Sequence, residues 1–129
     1  MPYIYSQVNA LEGTQKVGNK QCVALVRHYT AAPPTASWEA GQRVLDGGMS
    51  VPGTAIATFV NGHYPNHPHG NHAAFFIRRD LNCIWIMDQW FDDVSKPVVS
   101  SRRICSKGKH GDGSYVDPSN NSEAFYVIK

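Results

Sequence analysis

Gly18-Asn19-Lys20-Gln21-Cys22-Val23-Ala24-Leu25-Val26-Arg27-His28-Tyr29 is the stretch whose reading decides the fold. Gly18-Asn19 breaks the chain, and Asn19 offers a side-chain oxygen able to cap a helix that starts at once. Leu25, His28 and Tyr29 then repeat with Cys22 at helical spacing, and Pro33-Pro34 stops the run. The spacing predicts a helix with Cys22 in its first turn. A cysteine attacks a carbonyl only as thiolate, and a free thiol with a pKa near ~8.5 is mostly protonated at neutral pH. Unpaired N–H groups and the positive end of the helix dipole favour the anion at that position, and the same N–H groups can hold an oxyanion. A buried structural cysteine on an amphipathic helix fits the local pattern equally well, so a partner must be found elsewhere.

Downstream the period changes. A second short helix is expected over Ser37 to Leu45, with Ser37 as cap, Trp38 and Val44 inward, and Gly47-Gly48 ending it. From Gly53 onward, short runs rich in β-branched and aromatic residues are bounded by turn residues. Strands are expected at Thr54 to Val60, His72 to Arg78, Ile84 to Trp90, Ser101 to Cys105 and Ala124 to Ile128. The second and third are apolar on both faces and so read as central. The residues before Gly18 read as an irregular lead-in, and Ser106 to Ser122 as a long loop. The sum is an α+β fold in which the Cys22 helix packs on an antiparallel sheet of about five strands.

Length and composition bound the rest. The 129 residues, 42% hydrophobic, suit one core and one domain, 1–129. Twelve basic against ten acidic residues give a formal charge of +2, with basic clusters only at Lys107 to His110, Arg78-Arg79 and Arg102-Arg103. That excess is too weak to predict nucleic acid as a partner. The opening residues lack the pattern of a secretory signal, and no apolar run approaches the ~20 residues needed to span a bilayer, so synthesis in the cytoplasm without stable membrane insertion is expected. Of three cysteines, at least one must be free. Two reduced structural thiols at Cys83 and Cys105 are expected in the cytosol, with pairing open after export, because only a fortunate register brings two strand cysteines within ~7 Å.

The partner for Cys22 is His72, placed where a glycine-bearing loop turns into the apolar strand Ala73-Ala74-Phe75-Phe76. Asp88 lies in the next run, Ile84-Trp85-Ile86-Met87-Asp88-Gln89-Trp90, where a lone carboxylate is costly to bury unless paired. A hairpin turning near Asp80-Leu81-Asn82 sets residues summing to about 160 to 162 opposite each other, and 72 plus 88 gives 160. Cys22 is therefore the candidate nucleophile, His72 the general base and Asp88 the group that orients the ring. Trp38, Asn71, Gln89 and Trp90 flank these positions and are candidate substrate-binding residues, although either tryptophan equally suits a core.

Gln21-Cys22-Val23-Ala24-Leu25-Val26, Gly53-Thr54-Ala55-Ile56-Ala57-Thr58-Phe59, Gly70-Asn71-His72-Ala73-Ala74-Phe75 and Asp88-Gln89-Trp90 together resemble the pattern of the type VI secretion amidase effectors. These belong to the CHAP and NlpC-like group of papain-fold peptidoglycan hydrolases. The resemblance covers roughly Gly18 to Arg103. It implies a papain-like fold and a cysteine hydrolase without cofactor that cleaves an amide of the bacterial wall, either in the stem peptide or, as the family favours, in the cross-link. It further implies an antibacterial toxin, a monomer carried by a type VI secretion apparatus into the periplasm of target cells and blocked by a cognate immunity protein.

Three other readings compete. His63, His67, His69 and His72 lie within twelve residues and suggest a zinc hydrolase, but the spacing matches no helix-borne pair and Pro65 and Pro68 interrupt it. An acyltransferase uses the same Cys-His-Asp site with a different acceptor, and a non-catalytic wall-binding module keeps the fold alone.

Overall fold

The computed structural model describes residues 2–47 and 51–129. Its one α-helix among them, α1, runs over Cys22–Tyr29. Gly18 and Lys20 take left-handed backbone (φ 59° and 70°), which turns the chain into the helix, and a side chain at Gly18 would press on Ala24. Asn19 does not cap. Its Oδ1 accepts from the Gln21 amide at 3.0 Å, closing a turn before the helix, and Gln21 occupies the cap position with no side-chain bond. Leu25 and Val26 are fully buried, worth about 1.5–3 kcal/mol each in apolar surface removed from water. His28, by contrast, faces solvent. Thr30 ends the helix by returning both its amide and its hydroxyl to the Val26 carbonyl, and Pro33-Pro34 follows.

Six strands, rather than about five, form the sheet: β1 (Ala40–Arg43), β2 (Ala55–Thr58), β3 (Ala73–Asp80), β4 (Cys83–Asp88), β5 (Ser100–Cys105) and β6 (Phe125–Ile128). Their order is β1-β6-β2-β3-β4-β5, and every neighbouring pair is antiparallel. The extra strand comes from the segment expected as a second helix. Thr35–Ser37 and Val44–Asp46 are single 3-10 turns, and Ala40–Arg43 between them pairs with β6. An edge of β6 with unpaired backbone groups outweighs the weak helix preference of so short a run, and Gly41 costs a helix about 1 kcal/mol. Val44 is buried as expected, Trp38 is inward without being helical, and Gly48 lies outside the described residues.

Both faces of the sheet are covered, which explains the continuous apolar runs of β2, β3 and β4. On one face Ala55, Ala57, Ala73 and Phe75 pack against Leu25 and Val26, the alanines giving α1 room to come close. On the other, Ile56, Phe76, Ile84, Ile86, Ile104 and Phe125 form a second cluster. The lead-in is more than irregular chain: Val8 and Leu11, on a 3-10 turn, belong to the first cluster, and Ile4 bridges Thr54. The Ser106 to Ser122 loop is pinned by Asn121, fully buried, whose amide nitrogen donates to the carbonyls of Gly108 and Val116.

Cys83 and Cys105 stand directly opposite in the β4–β5 register, with Cα atoms 4.0 Å apart, and form a disulfide; Cys22 is the free cysteine. The register that the sequence could not supply is thus present, and of the two states left open, reduced in the cytosol and paired after export, the structure shows the paired one. Closing a loop of 22 residues in the unfolded chain stabilises the fold by about 3 kcal/mol. The double variant Cys83→Ser/Cys105→Ser is expected to lose about that much in denaturant unfolding, while a change below about 0.5 kcal/mol would contradict the bond's structural weight.

Candidate active site

Four pieces of chain converge at one end of the sheet. The first residue of α1 brings Cys22, half-buried, and the residue before β3 brings His72, which is 5% exposed. Thr58 in β2 fixes the histidine backbone: its hydroxyl accepts from the His72 amide at 3.0 Å while its own amide donates to the His72 carbonyl. Asp88, fully buried, ends β4, and its Oδ2 lies 2.8 Å from His72 Nε2. The hairpin register pairs Phe75 with Met87, a sum of 162, so Asp88 meets the imidazole on the diagonal and not directly across. That contact leaves the second ring nitrogen, Nδ1, for the thiol.

Two further cations hold the carboxylate. Arg102 on β5 donates from Nε to Oδ2 at 2.8 Å, and Lys96 places Nζ 2.7 Å from Oδ1 as a charge contact rather than a directed hydrogen bond. Neither residue was singled out from sequence as part of a site. Arg102 appeared only in a basic pair and Lys96 not at all, because nothing local marks a surface-type cation as destined for burial beside a carboxylate 8 or 14 positions away. Arg102 also binds Asn120 Oδ1 at 2.6 Å and the Ser119 carbonyl at 3.1 Å, drawing the long loop over the cleft.

The candidate substrate-binding residues divide. Asn71 and Trp90 line a cleft of about 400 Å³ together with Cys22, His72, Arg102 and Asn120. Trp90 lies edge-on to His72, with Lys96 and Arg102 over its ring. Trp38 is 1% exposed and donates to the Pro33 carbonyl, so it is a core residue. Gln89 is fully buried and does not face the cleft; it accepts from the Val17 amide and donates to the carbonyls of Val17 and Gln21, which fixes the chain entering α1. Tyr64, buried, was also missed: its hydroxyl lies 3.9 Å from Cys22 Sγ. The histidine-rich loop contributes His67 and His69 to the cleft rim, whereas His63 turns back to Val60. Among the described residues no three His, Cys, Asp or Glu side chains are grouped as metal ligands.

The electrostatics bind these groups together. Burial pushes the Cys22 thiol up, but the hydrogen bond and charge of His72, the Ala73 amide and the Tyr64 hydroxyl outweigh it and hold the pKa below the ordinary thiol value. Burial alone lowers His72; the Asp88 hydrogen bond and the Cys22 contact reverse this and raise it to about 9. Asp88 is likewise pushed up by burial and brought far below the usual carboxylate range by His72, Arg102 and Lys96. Both shifts act in the same sense, toward thiolate at Cys22 and imidazolium at His72.

A thiol at a helix start, meeting an imidazole at the end of an antiparallel sheet with an acid behind the ring, is the arrangement of the papain-fold proteins. Comparison with known proteins places it further. The family model described as domesticated amidase effector 2 matches residues 3–128. A type VI secretion amidase effector 2 protein of Salmonella typhi is 47% identical, over all of both chains. A solved structure of type 6 secretion amidase effector 2 (Tae2) superposes with a TM-score of 0.93 at 47% identity, covering all of this chain and 95% of that one. The chain belongs to the domesticated amidase effector 2 family, among the type VI secretion amidase effectors.

The pair makes two expectations about pH. Because the His72 pKa is raised above its unfolded value near ~6.5, its stabilising contribution is complete below that value and is lost as pH rises through about 9. The rate of Cys22 alkylation by iodoacetamide should titrate with a midpoint below ~8.5, and His72→Ala should move that midpoint upward. A midpoint at or above the free-thiol value in the unaltered protein is the result that contradicts the ion pair.

Proposed function

We propose that the chain is a peptidoglycan amidase, one domain over residues 1–129, acting as an antibacterial effector that type VI secretion delivers into the periplasm of target cells. The observation that carries the reading is the 2.8 Å contact between His72 Nε2 and Asp88 Oδ2 behind a cysteine at the first position of a helix, in a chain of the amidase effector 2 family. The Cys22 thiolate attacks the carbonyl carbon of a wall-peptide amide, and the carbonyl electron pair moves to oxygen. The Cys22 amide, at the helix start where no intrahelical acceptor exists, donates to that oxygen. His72 gives its proton to the departing amine, leaving a thioester. It then takes a proton from water, whose oxygen attacks the thioester and frees the thiol and a carboxylate. Asp88 holds the ring so that Nδ1 faces the sulfur throughout.

The D-alanyl to diaminopimelate cross-link is the bond the family resemblance favours over the γ-D-glutamyl bond. Mass spectrometry of purified wall after digestion identifies the bond, and a new carboxylate in place of a new amide distinguishes hydrolysis from transfer. An immunity protein that occludes the cleft is the partner this reading requires.

Cys22→Ala and His72→Ala should each abolish release of wall fragments with the fold intact, since each removes one member of a cooperating unit. From sequence alone Asp88→Asn is expected to be milder, an amide still being able to hold the ring. The structure revises that: an amide leaves Lys96 and Arg102 without the carboxylate both contact, so loss of activity should come with about 3 kcal/mol of lost stability. In a Gram-negative host, the chain fused to a cleavable export signal should lyse cells, while the unfused form and exported Cys22→Ala should leave culture density unchanged. Lysis by exported Cys22→Ala removes the cysteine from the mechanism.

A further inference from the structure

The charges around Asp88 do not cancel. The carboxylate is one negative charge, and besides the imidazole it meets two cations, Lys96 at 2.7 Å and Arg102 at 2.8 Å. The Cys22 and His72 pair sums to zero whether the proton between them sits on sulfur or on nitrogen, so one positive charge is left over in either state. The next carboxylate along, Asp117, is already paired with Lys107 at 2.9 Å. The Lys96 side chain is 5% exposed and that of Arg102 23%, and of the two only Arg102 lines the cleft, so the surplus is open to a ligand at the guanidinium. The rest of the lining adds His67, His69 and His72 and, among the described residues, no aspartate or glutamate. A cleft with that balance attracts an anion.

Arg102 is also held in place to receive one. Its Nε donates to Asp88 Oδ2, one Nη to Asn120 Oδ1 at 2.6 Å and the other to the Ser119 carbonyl at 3.1 Å, which fixes the plane of the guanidinium. Among the described residues those bonds use three of its five N–H groups and leave two. Its side of the cleft follows from the shared oxygen. His72 Nε2 and Arg102 Nε both lie 2.8 Å from Asp88 Oδ2, so the guanidinium stands at most two hydrogen-bond lengths from the imidazole. His72 hands its proton to the departing nitrogen, so the leaving half of the substrate lies toward the imidazole and Arg102. We propose that Arg102 is a specificity residue that takes a free carboxylate on the leaving half of the substrate, on the carbon that bears the departing nitrogen; this rests on the acyl-transfer reading above. The two candidate wall bonds differ at that carbon. In the D-alanyl to diaminopimelate cross-link its carboxylate is free, whereas in the γ-D-glutamyl to diaminopimelate bond of a tetrapeptide stem it is tied up in the amide to D-alanine. The cleft thereby selects the cross-link on charge.

Substrate and protein are varied together. A synthetic cross-linked stem-peptide dimer is made in two forms, with that carboxylate free or as the carboxamide. Binding of each form to Cys22→Ala is measured by calorimetry, and cleavage of each by the unaltered protein gives kcat and KM. The acid form is expected to bind at least about tenfold tighter, and to be cleaved with a KM lower by a similar factor at little change in kcat. Adding Arg102→Gln to Cys22→Ala should bring the two affinities within about twofold of each other, while Arg102→Lys, which keeps the charge, should retain a preference for the acid form. The comparison on Cys22→Ala keeps Arg102 in place, so it decides the matter even where Arg102→Gln fails to fold. Equal affinity for the two forms overturns the proposal, as does binding of neither form or a preference that survives Arg102→Gln. Cleavage of both forms with the same kcat/KM also overturns it and leaves the amidase reading standing. A carboxylate preference that depends on Arg102, with no cleavage of either form or of purified wall, keeps the subsite and removes the amidase reading, so the two fail separately.

Discussion

The Asp88 carboxylate sits at the end of a central strand with no exposed surface, and an isolated charge there would be prohibitive to bury. It is stable because three cationic groups from three different parts of the chain meet it: the ring before β3, the lysine in the β4–β5 connection and the arginine of β5. Each cation is in turn tolerable only because the carboxylate is there. Around this knot the strand ends, the connection and the long loop all take their positions, since Arg102 reaches onward to Ser119 and Asn120.

The charge arrangement also decides which way protons sit. With the carboxylate ionised behind it, the imidazole is pushed toward keeping its proton and the thiol toward giving one up. Gln89, the neighbour of Asp88, converts the same strand end into a clamp on the opposite partner: its side chain fixes the backbone of Val17 and Gln21, and with it the start of α1. Two consecutive residues thereby set both halves of the site, one through charge and one through hydrogen bonds. Their side chains leave opposite faces of the strand, which lets one reach the imidazole and the other the helix.

Much of this was readable in the chain. Cys22 at a helix start, His72 at a strand mouth and Asp88 in an apolar run each broke a local pattern, and patterns are local. The strands from Thr54 onward were equally marked by their β-branched and apolar runs. What could not be read depends on distant partners. Ala40–Arg43 becomes a strand only because β6 offers an edge, the disulfide exists only because β4 and β5 align Cys83 with Cys105, and Lys96 and Tyr64 look like ordinary loop residues until the fold brings Asp88 and Cys22 to them. Gln89 turns away from the cleft for the same reason, since proximity in sequence to a motif says nothing about which side of the backbone faces the cleft, and for Trp38 the core was the other half of an even choice.

The sheet order β1-β6-β2-β3-β4-β5 puts the strand made last between two made early, with Ala40 beside Ile128. As the chain leaves the ribosome, the hairpin carrying His72 and Asp88 can pair from local contacts. The edge of β2 must wait, bare, until Phe125–Ile128 has emerged and slotted in. The two sides of the core are therefore sealed in a single late step. A chain broken off before Phe125 would carry Cys22, His72 and Asp88 and still lack the strand that joins β1 to β2, so the residues farthest along the chain from the cleft decide whether the sheet behind it is whole.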